Sequence, residues 1–304
     1  MFLEVKNLSK KYGDKTVVDN LNFEMKNPGV YALLGTNGAG KTTSIRMMLG
    51  MLAHDSGEVL WNGRPLDTLS GNVGYLAEER GLYPKKTVIE QMVYLARLRG
   101  ISKANAIANS KKWLTRLEVI DYEKKKLETL SKGNQQKVQL ASTLVCNPDI
   151  IILDEPFSGL DPINSQILQQ VVRELISENK IVIFSSHQMS YVEEFCEDIA
   201  IINHGEVVLS GDLDKIKLEY GEKQLVLSAV NLSLDELESR CAGELSDLLE
   251  ITGKIKDTLI IKIHDGVTRN ALLTAIISKN IEVEHFETYK PSLNDIFIAK
   301  VGEE

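Results

Sequence analysis

Residues Gly35-Thr36-Asn37-Gly38-Ala39-Gly40-Lys41-Thr42-Thr43 fit the spacing G-x-x-x-x-G-K-[ST] of a phosphate-binding loop. Gly38 and Gly40 let the backbone curl so that successive N–H groups point inward. With the positive end of a following helix dipole behind them, those donors make an anion cradle. Lys41 adds a point charge for β- and γ-phosphates, and the Thr42 hydroxyl is a ligand type for Mg²⁺. Two carboxylates, Asp154 and Glu155, close the apolar run Ile150-Ile151-Ile152-Leu153. Beside a phosphate loop this pair suits hydrolysis, with Asp154 holding Mg²⁺ through water and Glu155 polarising the attacking water. His187 follows Ile181-Val182-Ile183-Phe184-Ser185-Ser186. A histidine at the tip of a buried strand, in the sheet that carries the phosphate loop, is a candidate γ-phosphate sensor. Ser131 and Gly133 stand where a capping hydroxyl and a flexible turn would open a helix carrying Val138, Leu140, Ala141, Leu144 and Val145. That helix start is either an ordinary N-cap or a second anion site.

The elements that position these groups are legible from apolar periodicity. Val30–Leu34 reads as a buried strand entering the phosphate loop, and a helix with Ile45, Met47, Met48 and Leu49 leaves it and stops at Gly50. The continuous run at 150–153 predicts a strand buried on both faces, with Asp154 and Glu155 at its exposed end. Residues 2–6 and 16–25 alternate apolar and polar, as in antiparallel strands, with a turn at Lys11–Asp14. Tyr12, beside that turn, reads equally as a core aromatic or as a stacking platform for a purine. Gly57–Trp61 and Val73–Leu76 read as further strands, with a hairpin-type turn at Asn62-Gly63 and a polar loop at Glu78-Glu79-Arg80-Gly81. Residues 87–99, closed by Gly100, and 102–117 are helical, so about 85–146 forms a mostly helical insert. Ser158–Asp161 turns into a helix with Pro162 in its first turn. Ile199–Asn203 and Val207–Ser210 form a hairpin around His204-Gly205.

From Gly221 the texture changes. Strands at 224–230, 247–252, 258–263 and 281–287 alternate with helices at 233–240 and 267–279. The order βαββαβ predicts a small ferredoxin-like sandwich, after which Pro291 opens a last helix. The expected division is 1–220 and 221–304, and the second part shows no catalytic constellation.

The chain has 304 residues and a net charge of −8. Residues from Gly221 onward hold 9 basic and 15 acidic side chains and so carry most of the excess. Neither part has the basic footprint of a nucleic-acid binder. The start, Met1–Lys6, lacks the apolar core of a signal peptide. No stretch approaches the roughly 18 uninterrupted apolar residues of a membrane span. The expectation is a soluble, cytosolic chain. Cys146, Cys196 and Cys241 are far apart, without a C-x-x-C, and read as free thiols.

Taken together, the motif order resembles the ATP-binding subunits of ABC transporters over about residues 2–219. Gly35–Thr42 matches the Walker A motif, and Leu130–Asn134 stands at the signature, usually Leu-Ser-Gly-Gly-Gln. Asp154 and Glu155 match Walker B and its catalytic glutamate, Ser158–Asp161 the D-loop, and His187 the switch histidine. Tyr12 falls at the A-loop aromatic that stacks on adenine. Two positions depart from the pattern. Glu78 stands where the Q-loop glutamine belongs, adding charge near the γ-phosphate while keeping a metal-ligand oxygen. Lys132 and Asn134 replace Gly and Gln of the signature. The wording Glu78–Pro84 and Gly133–Lys137 looks like the branch of sodium-exporter-type and drug- or peptide-exporter ATPases. That branch also carries a C-terminal domain ending in a Pro-Ser-Leu-x-Asp-Ile-Phe segment, here Pro291–Phe297.

The resemblance implies an α/β fold: a P-loop core with a mixed sheet, an antiparallel β subdomain and a helical insert, plus a ferredoxin-like α+β domain. It implies ATP and Mg²⁺ as cofactors, with Thr42, Glu78 and Asp154 on the metal and Lys41, Glu155 and His187 in catalysis. It also implies two copies, identical or paralogous, meeting head to tail. Each ATP then lies between Tyr12 and Gly35–Thr43 of one copy and Ser131, Gly133 and Asp161 of the other. Integral-membrane subunits would hold the dimer at the cytoplasmic face and turn its closing into transport, coupled through about residues 77–100. The alternative, an ABC ATPase acting on ribosomes or DNA, calls for a long coiled-coil insert or a second nucleotide-binding domain. The sequence shows neither, and its acidic balance disfavours nucleic acid.

Overall fold

The structure, a computed structural model, describes residues 2–68, 72–79, 81–221 and 224–302. Arg80 of the polar loop lies outside the described residues. The chain divides into two compact units, one ending at Leu213 and one beginning at Asp214.

In chain order the first unit holds β1 (Leu3–Tyr12), β2 (Lys15–Met25), β3 (Gly29–Leu34) and α1 (Lys41–Met48). There follow β4 (Ser56–Trp61), β5 (Arg64–Pro65), β6 (Val73–Leu76), α2 (Val88–Leu98), α3 (Lys103–Arg116) and α4 (Lys132–Leu144). β7 (Ile150–Asp154), α5 (Pro162–Ser177), β8 (Ile181–Ser186), α6 (Met189–Phe195), β9 (Asp198–Asn203) and β10 (Glu206–Asp212) complete it. One sheet is antiparallel, in the order β2-β1-β4-β5. The other runs β10-β9-β3-β8-β7-β6 and is parallel except for the β9–β10 hairpin. β3, β7 and β8 are buried at every residue, the mark of parallel strands covered on both faces. Their core joins the two sheets. Leu3, Leu8 and Leu21 pack in one cluster with Leu33, Ile45, Ile152 and Ile183, and Phe23 stacks on Tyr31 at 4.4 Å.

Helix boundaries follow local chemistry. A capping box between Thr87 and Glu90 opens α2, and Ser102 caps α3. Gly100, at φ 83°, makes the left-handed break between them.

The second unit holds α7 (Leu213–Tyr220, its first residue closing the first unit), β11 (Gln224–Ala229), α8 (Leu234–Glu244), β12 (Leu249–Ile255) and β13 (Thr258–Ile263). It ends with α9 (Arg269–Ser278), β14 (Val283–Thr288) and α10 (Leu293–Val301). The sheet order is β12-β13-β11-β14 with every pairing antiparallel, the ferredoxin-like arrangement. Leu227, Leu259 and Ile261 of its sheet share a core with Leu237 and Cys241 of α8 and Leu272 and Ile276 of α9.

The structure corrects three expectations. β1 continues to Tyr12, so the turn is confined to Gly13-Asp14, because β1 stays paired with β2 to its last residue, Tyr12 against Lys15. Gly133 is no turn residue. It lies inside the first turn of α4, because Ser131 already supplies the cap. The last helix is opened by Ser292, whose hydroxyl accepts from the Asp295 N–H in a capping box, and Pro291 only precedes it.

Candidate functional site

The phosphate loop joins β3 to α1, and its shape is fixed from both sides. Gly40, the N-cap of α1, has φ 111°. A Cβ there would stand 2.7 Å from the Val17 carbonyl oxygen of β2. Gly205, in the β9–β10 turn, has φ 89°, and its Cβ would meet the same oxygen at 2.5 Å. The Gly205 N–H donates to the Ala39 carbonyl at 3.0 Å, and the Asp19 N–H donates to the Gly205 carbonyl at 2.7 Å. The loop is therefore clamped between the antiparallel sheet and the end of β9.

Lys41 is the first residue of α1 and is buried. Its Nζ donates to the carbonyls of Gly35 at 2.9 Å and Thr36 at 3.2 Å. It lies 3.4 Å from Glu155 Oε1. Thr36, Asn37 and Gly38 form the exposed lip of the loop, whereas Gly35, Ala39 and Gly40 are buried and Thr43 is half-buried.

The carboxylates are not exposed as the strand pattern suggested: Asp154 is 1% and Glu155 7% accessible. Neighbouring elements cover them. Asp154 Oδ1 accepts from Thr42 Oγ1 at 3.3 Å and, more closely, from Ser185 Oγ at the end of β8. Asp154 Oδ2 accepts from the Tyr75 hydroxyl of β6 at 3.5 Å. Burial pushes the Tyr75 phenol up to about 12, and the nearby Asp154 charge adds to the rise, so the hydroxyl keeps its proton to donate. Ser185 Oγ also accepts from the Glu155 N–H at 3.1 Å. Glu155 leaves the strand with φ 49°, a left-handed conformation for a non-glycine residue, which turns its side chain toward Lys41 and His187. Oε2 lies 2.9 Å from His187 Nδ1, and Oε1 is buried without a hydrogen-bond partner.

The structure thus brings Lys41, Thr42, Asp154, Glu155 and His187 together. Glu78 is exposed and lines a small cavity of about 90 Å³ with Asp154, Glu155, Gln136, Gln139 and Ser158. Gln139 Nε2 donates to the Ala77 carbonyl at 2.9 Å, and Gln136 Nε2 to the Pro156 carbonyl at 2.6 Å, so α4 holds both loops that border this cavity. Tyr12 is 53% exposed, which removes the core reading, and Lys10 Nζ stands 5.5 Å from its ring centre. Ser131 caps α4 through the Asn134 N–H, and Asp161 caps α5 through the Asn164 N–H. Among the described residues no hydrogen bond or ion pair joins Ser131, Gly133 or Asp161 to the Lys41–Glu155 group. Tyr75 and Ser185 were not singled out from the sequence. A hydroxyl at the end of each buried strand flanking Ile150–Asp154 was the available signal.

A clamped phosphate loop, a buried strand-end carboxylate pair and a mixed sheet with an antiparallel extension define a P-loop ATPase of the ATP-binding-cassette kind. Comparison with known proteins agrees. The ABC transporter family profile matches residues 18–158, and that of the "ATP-binding protein DrrA1-3-like, C-terminal domain" matches 211–301. An uncharacterized ABC transporter ATP-binding protein of Bacillus subtilis is 41% identical over 99% of this chain and 98% of its own length. The bacitracin transport ATP-binding protein of Bacillus licheniformis is 30% identical over 99% of this chain and 97% of its own. A solved ATP-binding subunit of an ABC transporter superposes with TM-score 0.68 at 29% identity, covering 80% of this chain and all of that one. The chain belongs to the ATP-binding proteins of ABC transporters. It is an ATP-binding, ATP-hydrolysing subunit of that family, whose hydrolysis powers transport. Among the described residues no helix is long and apolar enough to cross a membrane.

Proposed function

We propose that this chain is the motor of an exporter, closing head to tail with a second ATP-binding subunit and driving separate membrane subunits from the cytoplasmic face. The observation that carries the hydrolytic part of the reading is the buried Glu155 Oε1, without a hydrogen bond, 3.4 Å from the phosphate-loop lysine and braced on its other oxygen by His187. A desolvated carboxylate oxygen at that point is a general base for water attacking a phosphate held by the loop. His187, tied to the same carboxylate, reports on the γ-phosphate.

The donors also fit Mg²⁺. Thr42 Oγ1 and Asp154 Oδ1 converge within 3.3 Å, both hard oxygens. Among the described residues no group of three or more His, Cys, Asp or Glu is placed to hold an ion alone. That suits a metal whose remaining ligands are phosphate oxygens and water. Bound there, with Glu78 at the cavity edge, the ion would neutralise phosphate charge. Tyr12 offers adenine an exposed ring, and Ser131, Gly133 and Asp161 face the partner's nucleotide. Residues 1–220 act as the ATP-binding domain and 221–304 as the accessory domain. The exposed Tyr83, Tyr94 and Leu98 supply an apolar face in the 77–100 segment for a membrane subunit. Export is the direction we infer from the relative named for bacitracin transport.

Affinity purification of the full chain from detergent-solubilised membranes tests the reading. A polytopic membrane protein should co-purify. Recovery of ribosomes, or of a clean soluble dimer, would transfer the ATP site to another kind of machine.

A further inference from the structure

We infer that Asn164 is a positioning residue that ties the signature loop to the D-loop, so that the two are presented to the partner's nucleotide as one surface. This rests on the head-to-tail reading above. Asp161 caps α5 by accepting from the Asn164 N–H at 2.9 Å, and it accepts again from the Asn164 side-chain Nδ2 at 2.5 Å. These bonds hold the Asp161 carboxyl below its ordinary range. The same nitrogen lies against α4. A Cβ built on Gly133 would stand 2.9 Å from Asn164 Nδ2, so a side chain there would push the amide aside. Glycine at 133 leaves room for the amide to lie against α4 while it holds Asp161.

The contact lies at the first turn of both helices, next to the caps Ser131 and Asp161. A small polar side chain thus sets the spacing between two loops that the proposed dimer needs in register. It touches neither the phosphate loop nor the carboxylate pair among the described hydrogen bonds, so its effect belongs to closure and not to the chemical step.

The variant Asn164→Ala keeps the backbone N–H and with it the cap of α5, so folding is retained; circular dichroism checks this. The test compares Glu155→Gln with Glu155→Gln/Asn164→Ala, measuring binding of a fluorescent ATP analogue to the monomer and ATP-dependent dimerisation by sedimentation. Monomer binding should be unchanged, and dimerisation should weaken about threefold or more, since the bond lost is an exposed one within the chain. An Asn164→Ala variant in the native background should lose kcat at fixed KM for ATP. If Glu155→Gln dimerises and adding Asn164→Ala leaves that dimer untouched, the positioning role is overturned while the head-to-tail reading stands. If Glu155→Gln stays monomeric at saturating ATP, both fall.

Discussion

Ser185 shows how one hydroxyl can order a catalytic pair. It donates to Asp154 Oδ1 and accepts from the backbone of Glu155, so both carboxylate residues are fixed by a single atom of the neighbouring strand. Removing it leaves a buried carboxylate short of a donor, an effect of about 1.5–3 kcal/mol for a bond to a charged group. Ser185→Ala should therefore lower kcat about tenfold to a hundredfold while ATP binding changes little, as steady-state ATPase assays and nucleotide titration will show. Equal losses in binding would place Ser185 in folding instead. Lys41, Thr42, Asp154 and Glu155 were readable because their chemistry is set by neighbours in sequence. Ser185 and Tyr75 were not, because they reach Asp154 from β8 and β6, strands separated from it by long crossovers. The burial of Glu155 was hidden for the same reason: a strand end looks exposed until the elements above it are in place.

At the scale of elements, the phosphate loop depends on β2 and on the β9–β10 turn as much as on its own glycines. Gly205 has a left-handed φ, and its Cβ would overlap the Val17 carbonyl, so Gly205→Ala must displace β2 or the turn that bonds Ala39. ATP affinity should fall, while the α8 and β13 amides of the second unit keep their hydrogen-exchange protection. Unchanged affinity would mean that the loop holds its shape without the clamp. Most elements followed from apolar periodicity: the uninterrupted runs became β3, β7 and β8, and the βαββαβ order became an antiparallel sheet with its first and third strands central. Ends were less legible. β1 outlasts its alternating pattern because β2 pairs with it through polar residues, Lys11 against Thr16 and Tyr12 against Lys15.

Across the whole molecule, each unit has a core of its own, and each holds a buried thiol, Cys196 in the first and Cys241 within the core of the second. Burial pushes Cys241 up to about 11 against a smaller opposing pull from Arg240, and raises Cys196 well above the ordinary range, with Glu197 adding to it. At pH 8 roughly one Cys241 in a thousand is thiolate, so alkylation of the folded chain should be slow at both sites. On heating, each thiol should label as its own unit opens, giving two midpoints by mass spectrometry of tryptic peptides. A single shared midpoint would show that the units unfold together.

The left-handed Glu155 has a consequence for how such a chain changes over generations. A non-glycine residue held there raises the energy of the fold by on the order of 1 kcal/mol or more. Substitution to glycine would ease that strain, remove the water-activating group and leave the buried Lys41 ammonium without the carboxylate 3.4 Å away, a larger loss. Stability and turnover therefore favour the same residue at this position, and a lineage released from the need to pump would keep its glutamate for as long as it keeps the lysine.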